Sequence, residues 1–95
     1  MNKYELALVF APGLDEEGFR NAMEKVKELL ERFGASILKI DEWGKRRLAY
    51  EINKINEGYY VFINFESEAG APADIENRLR ISEDIIRYLI IRIDE

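Results

Sequence analysis

Three consecutive cations, Lys45, Arg46 and Arg47, are the side chains of this protein best suited to binding a ligand. Guanidinium groups match phosphate oxygens in pairs and a lysine ammonium adds a point charge, so the pattern is typical of contacts with a nucleic-acid backbone. Lys54 and Lys3 are further candidates. The other interpretation is a charged strand end that discourages edge-to-edge pairing, and from these residues alone it is the stronger one.

The overall charge does not by itself support a nucleic-acid partner. The chain carries 14 cations and 19 anions, a net charge of −5, whereas phosphate binding depends on a positive field. Many of the acids, however, fall in two helix-like stretches, over 15–31 and 74–76, and the cations named above fall on strands or loops. An acidic helical side and a basic sheet edge are compatible in one domain, so the average charge leaves the partner open.

Enzyme chemistry is disfavoured because histidine and cysteine are both absent. Their absence removes ordinary zinc sites, Ser-His-Asp triads and cysteine nucleophiles. Adjacent acids such as Asp41 and Glu42, or Glu83 and Asp84, point to opposite faces of a strand. The loop at 11–15 has one glycine and no cation, which does not suit a backbone phosphate cradle. We therefore expect no catalysis, no metal and no cofactor.

The length and hydropathy predict one soluble domain over residues 1–95. No apolar run approaches the ~20 residues of a membrane span. The first residues lead directly into an alternating strand and do not resemble a secretory signal. A cytoplasmic location fits these features.

Hydrophobic periodicity predicts the elements of the first half. Residues 2–11 alternate as a strand, and a helix then runs from an N-cap at Asp15 to a C-terminal glycine at Gly34. Residues 35–43 and 46–52 form two pieces of a second strand, with a bulge at Gly44 between them.

The second half is predicted in the same way. A loop over 53–58 precedes a third strand over 59–67. Pro72 suits the first turn of a short helix that ends at about Arg80, and residues 85–93 form the last strand.

The order βαββαβ predicts an α+β fold of the ferredoxin-like, split-βαβ kind. Right-handed crossovers place both helices on one face of a four-stranded antiparallel sheet. The apolar helix stripes that would cover this face are Phe19, Met23, Val26, Leu30, Phe33, Ile75 and Leu79. No helix remains for the other face of the sheet.

That uncovered face is predicted to be apolar, with Tyr60, Phe62, Leu89 and Ile91 pointing outward. Exposed antiparallel sheet faces are usually polar, and large exposed apolar patches tend to mark interfaces. We interpret this face as a protein-binding surface. Homodimerisation and the ordinary apolar share of a surface are the alternatives, and a register shift of one residue would exchange the two faces.

Aromatic residues on the central strands suggest a different binding mode, in which Tyr4 and Tyr60 stack on RNA bases. The segment from Gly58 to Phe62 weakly resembles an RNA-recognition motif, but Glu57 stands where that motif has a cation. Core packing accounts for Tyr4 equally well.

The segment from Trp43 to Lys54 reads Trp-Gly-Lys-Arg-Arg-Leu-Ala-Tyr-Glu-Ile-Asn-Lys, and a short loop then leads to Gly58 and Tyr59. This resembles the family of bacterial small ribosomal subunit protein six, whose members carry W/L-G-x-R-x-L-A-Y-x-I-x-K followed by a loop and G-Y. The positions that match the family pattern are Tyr4, Arg46, Arg47, Leu48, Ala49, Tyr50, Lys54, Gly58 and Tyr59.

The resemblance implies a structural component of the small ribosomal subunit that binds the central domain of small-subunit rRNA beside ribosomal protein eighteen. The RNA-binding residues expected on this basis are Lys3, Tyr4, Arg46, Arg47, Lys54 and Arg87. The expected partner-binding residues are Tyr60, Phe62, Leu89 and Ile91. Neither DNA nor a membrane is an expected partner. The alternative is a ferredoxin-like binding or oligomerisation module, natural or redesigned, that does not bind rRNA.

Overall fold

A computed structural model of the protein describes residues 1–52 and 55–93, with side chains described for 1–47 and 57–93. Within these ranges the elements follow in the order βαββαβ. Their bounds are β1 Asn2–Phe10, α1 Glu16–Arg32, β2 Ser36–Ile52, β3 Ile55–Ser67, α2 Ala71–Leu79 and β4 Ile85–Arg92. No helix in the described part of the chain is long and apolar enough to cross a membrane.

The strands form one sheet in the order β2-β3-β1-β4, and each neighbouring pair is antiparallel. Both helices pack on the same face, where Met23 and Leu30 of α1 and Ile75 and Leu79 of α2 belong to one buried cluster with alternate residues of β1 and β3. The predicted ferredoxin-like fold, with its helices on one side of the sheet, is confirmed.

Helix α1 begins and ends at the residues that its sequence signals indicate. The Asp15 carboxylate accepts a hydrogen bond from the Gly18 backbone N–H at 2.7 Å, and two acidic residues lie in the first turn. Both features stabilise the electropositive end of a helix. Gly34 follows the C-cap at a φ of 79°, which a glycine adopts without steric cost.

The two faces of the sheet are the ones predicted from strand alternation. On β3, Val61, Ile63 and Phe65 are fully buried beneath the helices, and the intervening Phe62 and Asn64 are only half-buried. Successive strand residues point to opposite faces, so one buried set fixes the direction of the other. The face without helices is called the open face below.

Strand β2 shifts register against β3 at three points, the last of them between Arg47 and Ile52. The register against β3 shifts between Glu42 and Gly44, and Gly44 has a φ of 80°, so the predicted bulge at this glycine is confirmed. A second shift lies between Ile37 and Lys39 and was not indicated by any glycine or proline. Bulges bend an edge strand and increase its twist, which makes it a poorer template for pairing with another chain.

The connection between β2 and β3 differs from the prediction. The sequence indicates a loop over 53–58, but β3 already begins at Ile55, which pairs with Ile52. Antiparallel pairing satisfies the backbone groups of this segment, and that gain outweighs the turn preference of its asparagine and glycine residues.

This early start of β3 extends the sheet on one side. Strand β1 ends at Phe10, opposite Tyr59, so β2 and β3 continue past β1 as two strands alone. We call residues 45–52 and 55–58 the ribbon.

Candidate functional site

The open face is a grid of alternate residues from all four strands. One row runs from Asp41 through Phe62 and Ala7 to Leu89, because these residues are paired in turn across the sheet. The residues of the open face are Lys3, Glu5, Ala7, Val9, Lys39, Asp41, Trp43, Tyr60, Phe62, Asn64, Glu66, Arg87, Leu89 and Ile91. Its centre is apolar and its charged residues lie toward the edges.

The four predicted partner-binding residues lie together on this face. Tyr60 and Phe62 are half-buried, whereas Leu89 and Ile91 keep 52% and 45% of their surface exposed. Leu89 is one strand away from Phe62, with only the small Ala7 between them. The structure thus brings these residues into one apolar surface, and their role in binding stays a prediction.

Trp43 belongs to the same surface and was not predicted as a site residue. Its indole ring lies 4.8 Å from the Phe62 ring, centroid to centroid, and half of the residue is exposed. Tyr60 lies 6.5 Å from Phe62 in a stacked arrangement, so three aromatic rings follow each other across the face. The signal in the sequence was its spacing of two residues from Asp41, which places both side chains on the same face of β2.

The cations Lys45, Arg46 and Arg47 lie at the base of the ribbon and are exposed. The Lys45 ammonium is 5.7 Å from the centre of the Tyr59 ring. Arg46 and Arg47 are successive strand residues and therefore point to opposite sides of the ribbon. Lys54 lies outside the described residues, so its predicted place beside these cations stays a prediction.

Lys3 and Arg87 are not close to the ribbon cations. Along β3, Lys3 pairs with Glu66 and Arg46 pairs with Gly58, a separation of roughly 27 Å for strands of this geometry. Arg87 lies on the open face, in the row of Tyr60 but two strands away from it. The predicted RNA-binding residues therefore do not form a single cluster.

Tyr4 is buried on the helix-covered side, with 8% of its surface exposed. Its ring stacks against Phe65 at 5.5 Å, and its hydroxyl accepts a hydrogen bond from the Asn2 side chain at 3.2 Å. A base-stacking platform needs an exposed ring, so stacking by Tyr4 does not fit this geometry. Tyr4 is buried because side chains alternate along β1, so Tyr4 points to the same face as Leu6 and Glu5 points to the other.

The described residues hold no group of three or more acidic side chains that could bind a metal ion. The site is thus an apolar sheet face with a cationic ribbon beside it. Such an arrangement supports association with macromolecules rather than bond-making chemistry.

The chain is similar to known proteins over almost its whole length. The family model described as Ribosomal protein S6 matches residues 3–92. The small ribosomal subunit protein bS6 of Clostridium acetobutylicum is 47% identical over 95 residues, which is 100% of both chains. The corresponding protein of Desulforamulus reducens is 47% identical over 92 residues, or 97% of each chain.

A solved structure agrees with these sequence matches. The crystal structure of 30S ribosomal protein S6 from Thermotoga maritima superposes with a TM-score of 0.92 at 35% identity, covering 97% of this chain and 87% of that one. With the βαββαβ architecture and the matched motif, these similarities show that the chain belongs to the ribosomal protein S6 family, whose members are structural proteins of the small ribosomal subunit and not enzymes.

Proposed function

We propose that this protein binds the central domain of small-subunit rRNA together with ribosomal protein eighteen, as a non-catalytic component of ribosome assembly in the cytoplasm. The observation that carries the proposal is the open face, which is apolar although no element of the described chain covers it. Membership of the ribosomal protein S6 family supports the same proposal, since a ribosomal protein contacts RNA and other proteins.

The open face supports the protein half of the proposal. Leu89 and Ile91 are about half exposed and continue the surface of Phe62 across the sheet. Burying apolar surface contributes about 25 cal/mol of favourable free energy per Å², before the entropic and desolvation costs of association are subtracted. A few aromatic anchors usually dominate such interfaces, and this face offers three aromatic rings in a row.

The ribbon supports the RNA half. Arg46 and Arg47 are exposed where β2 and β3 continue past β1 as two strands. A ribbon of two strands reaches further into solvent than the body of the domain, so its cations can approach phosphates. Glu57 lies opposite Arg47 on the neighbouring strand and Gly58 lies opposite Arg46, so Arg46 has the less acidic cross-strand neighbour. Lys54 is expected to add a third phosphate contact.

An oligomerisation module without rRNA binding is the second candidate function. The exposed apolar side chains of the open face favour it, since two copies would cover each other's surfaces. Salt distinguishes the two functions. RNA binding through phosphates weakens linearly with the logarithm of salt concentration, and apolar self-association does not.

The proposal is tested by titrating a central-domain rRNA fragment with this protein, alone and with ribosomal protein eighteen. We expect tighter RNA binding when both proteins are present, and a complex of the two proteins without RNA. Self-association measured by sedimentation, with no binding to either partner at low salt, would support the oligomerisation module instead.

A further inference from the structure

A notch of about 240 Å³ lies on the open face beside the aromatic row. It is lined by Glu5, Lys39, Asp41, Trp43, Phe62 and Asn64. Of these six residues, only Phe62 is a predicted partner-binding residue. The proposed function therefore assigns no role to most of the notch.

One wall of the notch is aromatic. The Trp43 indole rests against the Phe62 ring at 4.8 Å, and the indole N–H donates a hydrogen bond to the Asp41 carboxylate at 3.2 Å. This bond fixes the orientation of the indole while half of the residue stays exposed. The face of an aromatic ring attracts cations, and tryptophan does so most strongly.

Carboxylates flank this aromatic wall on two sides. Asp41 of β2 lies opposite Phe62, and Glu5 of β1 lies opposite Asn64, one row further along. Glu5 is half-buried. Within the described part of the chain the ion pairs lie on α1, and neither Glu5 nor Asp41 takes part in one. Lys39 offsets one of the two negative charges, so the notch has one negative charge in excess.

We infer that the notch receives the guanidinium of an arginine from the protein that docks on the open face. A guanidinium is flat, stacks on aromatic rings and pairs with carboxylates through two parallel hydrogen bonds, which suits a site with Trp43 beside Asp41. Tryptophan and arginine are also the residues most often found to dominate protein interfaces. The inference rests on the proposed function, because it assumes a protein partner on this face.

The charge of the notch argues against RNA at the same place. Phosphates would be repelled by Glu5 and Asp41, whereas the exposed cations of the ribbon begin at Lys45, further along β2. The two kinds of partner are thus assigned to different parts of the molecule.

Fluorescence tests this inference directly, because Trp43 is the single tryptophan of the chain. The probe is N-acetyl-arginine amide, titrated at constant ionic strength, and its comparison is the uncharged, nearly isosteric N-acetyl-citrulline amide. We expect a saturable change in Trp43 emission with the arginine compound and about three- to tenfold weaker binding of the citrulline compound. The Glu5→Gln, Asp41→Asn double variant should lose the preference for the arginine compound.

The matched control is Glu28→Gln with Glu31→Gln, which removes two exposed acids from helix α1 and leaves the notch intact. It should bind the arginine compound like the parent. Equal binding of both compounds, or an unchanged preference in the notch variant, overturns the inference. A larger emission change with a short oligonucleotide than with the arginine compound also overturns it, in favour of base stacking. These outcomes are independent of the proposed function, because ribosomal protein eighteen is absent from the assay.

Discussion

The indole of Trp43 lies against the ring of Phe62, with the ring centroids 4.8 Å apart, although one residue is on the edge strand β2 and the other on the central strand β3. This contact extends the apolar surface of the sheet to its edge. The surface available to a partner is therefore wider than the third and fourth strands alone, and its β2 side combines aromatic rings with carboxylates.

The packing of helix α1 is tested by Leu30→Ala. Leu30 is fully buried in the cluster between the helices and the sheet, so its truncation leaves a cavity and should cost about 2–5 kcal/mol of unfolding free energy. Chemical denaturation measures this loss. Ile81→Ala is the control, because Ile81 is 75% exposed and its truncation should cost less than about 0.5 kcal/mol. Similar small losses for both variants would show that the helix faces are assigned wrongly.

The bulge in β2 is tested by Gly44→Ala. Gly44 has a φ of 80°, where a side chain with a Cβ is strained, so the substitution should cost about 1–2 kcal/mol. It should also change the emission of the adjacent Trp43. Gly13→Ala is the matched control, since Gly13 is exposed and a Cβ there has no atom within 4 Å. An unchanged unfolding free energy for Gly44→Ala would mean that the bulge is not a strained feature of the strand.

The phosphate contacts are tested by Arg46→Ala and Arg47→Ala, made singly. Each should weaken binding to central-domain rRNA and to unrelated RNA alike, and should reduce the slope of log affinity against log salt by roughly one. Arg46 and Arg47 point to opposite sides of the ribbon, so a loss confined to one of them would identify the side that faces RNA.

The control for these variants is Arg32→Ala, an exposed cation in the last turn of α1. It removes the same charge at a position outside the ribbon and should leave the salt slope unchanged. Unaltered RNA affinity for the triple variant Arg46→Ala, Arg47→Ala, Lys54→Ala at matched salt would refute the assignment of the ribbon to RNA.

Strand alternation and helix periodicity were sufficient to predict which side of β1, β3, β4 and the two helices faces the core. On β3 the fully buried Val61 and Ile63 alternate with the half-buried Phe62, as a period of two requires. Helix α1 begins directly after its N-cap Asp15 and ends before Gly34, and both ends could be predicted because caps are local signals that need no tertiary information.

The features that escaped prediction depend on contacts between strands. Pairing between Ile52 and Ile55 starts β3 earlier than its glycine and asparagine residues suggest. Trp43 lies on the open face because it follows Lys39 and Asp41 at steps of two, and the register shift between Ile37 and Lys39 conceals this alternation in the sequence. The sequence is compatible with Tyr4 as a base-stacking residue or as a core residue. Its ring packs against Phe65, which makes it a core residue.

Phe62→Asp tests whether the open face binds a protein. Phe62 is half-buried on the open face, whereas Phe65 on the same strand is fully buried beneath the helices. Each variant is examined first by circular dichroism and thermal unfolding. Phe62→Asp should remain folded, and Phe65→Asp should unfold because it places a charge in the core.

The decisive measurement is the dissociation constant of Phe62→Asp for ribosomal protein eighteen, determined by titration calorimetry beside the parent protein. We expect a folded variant whose binding is weakened by about thirtyfold or more, because an anchor at the centre of an interface is lost. A folded variant that binds ribosomal protein eighteen as tightly as the parent would contradict the account.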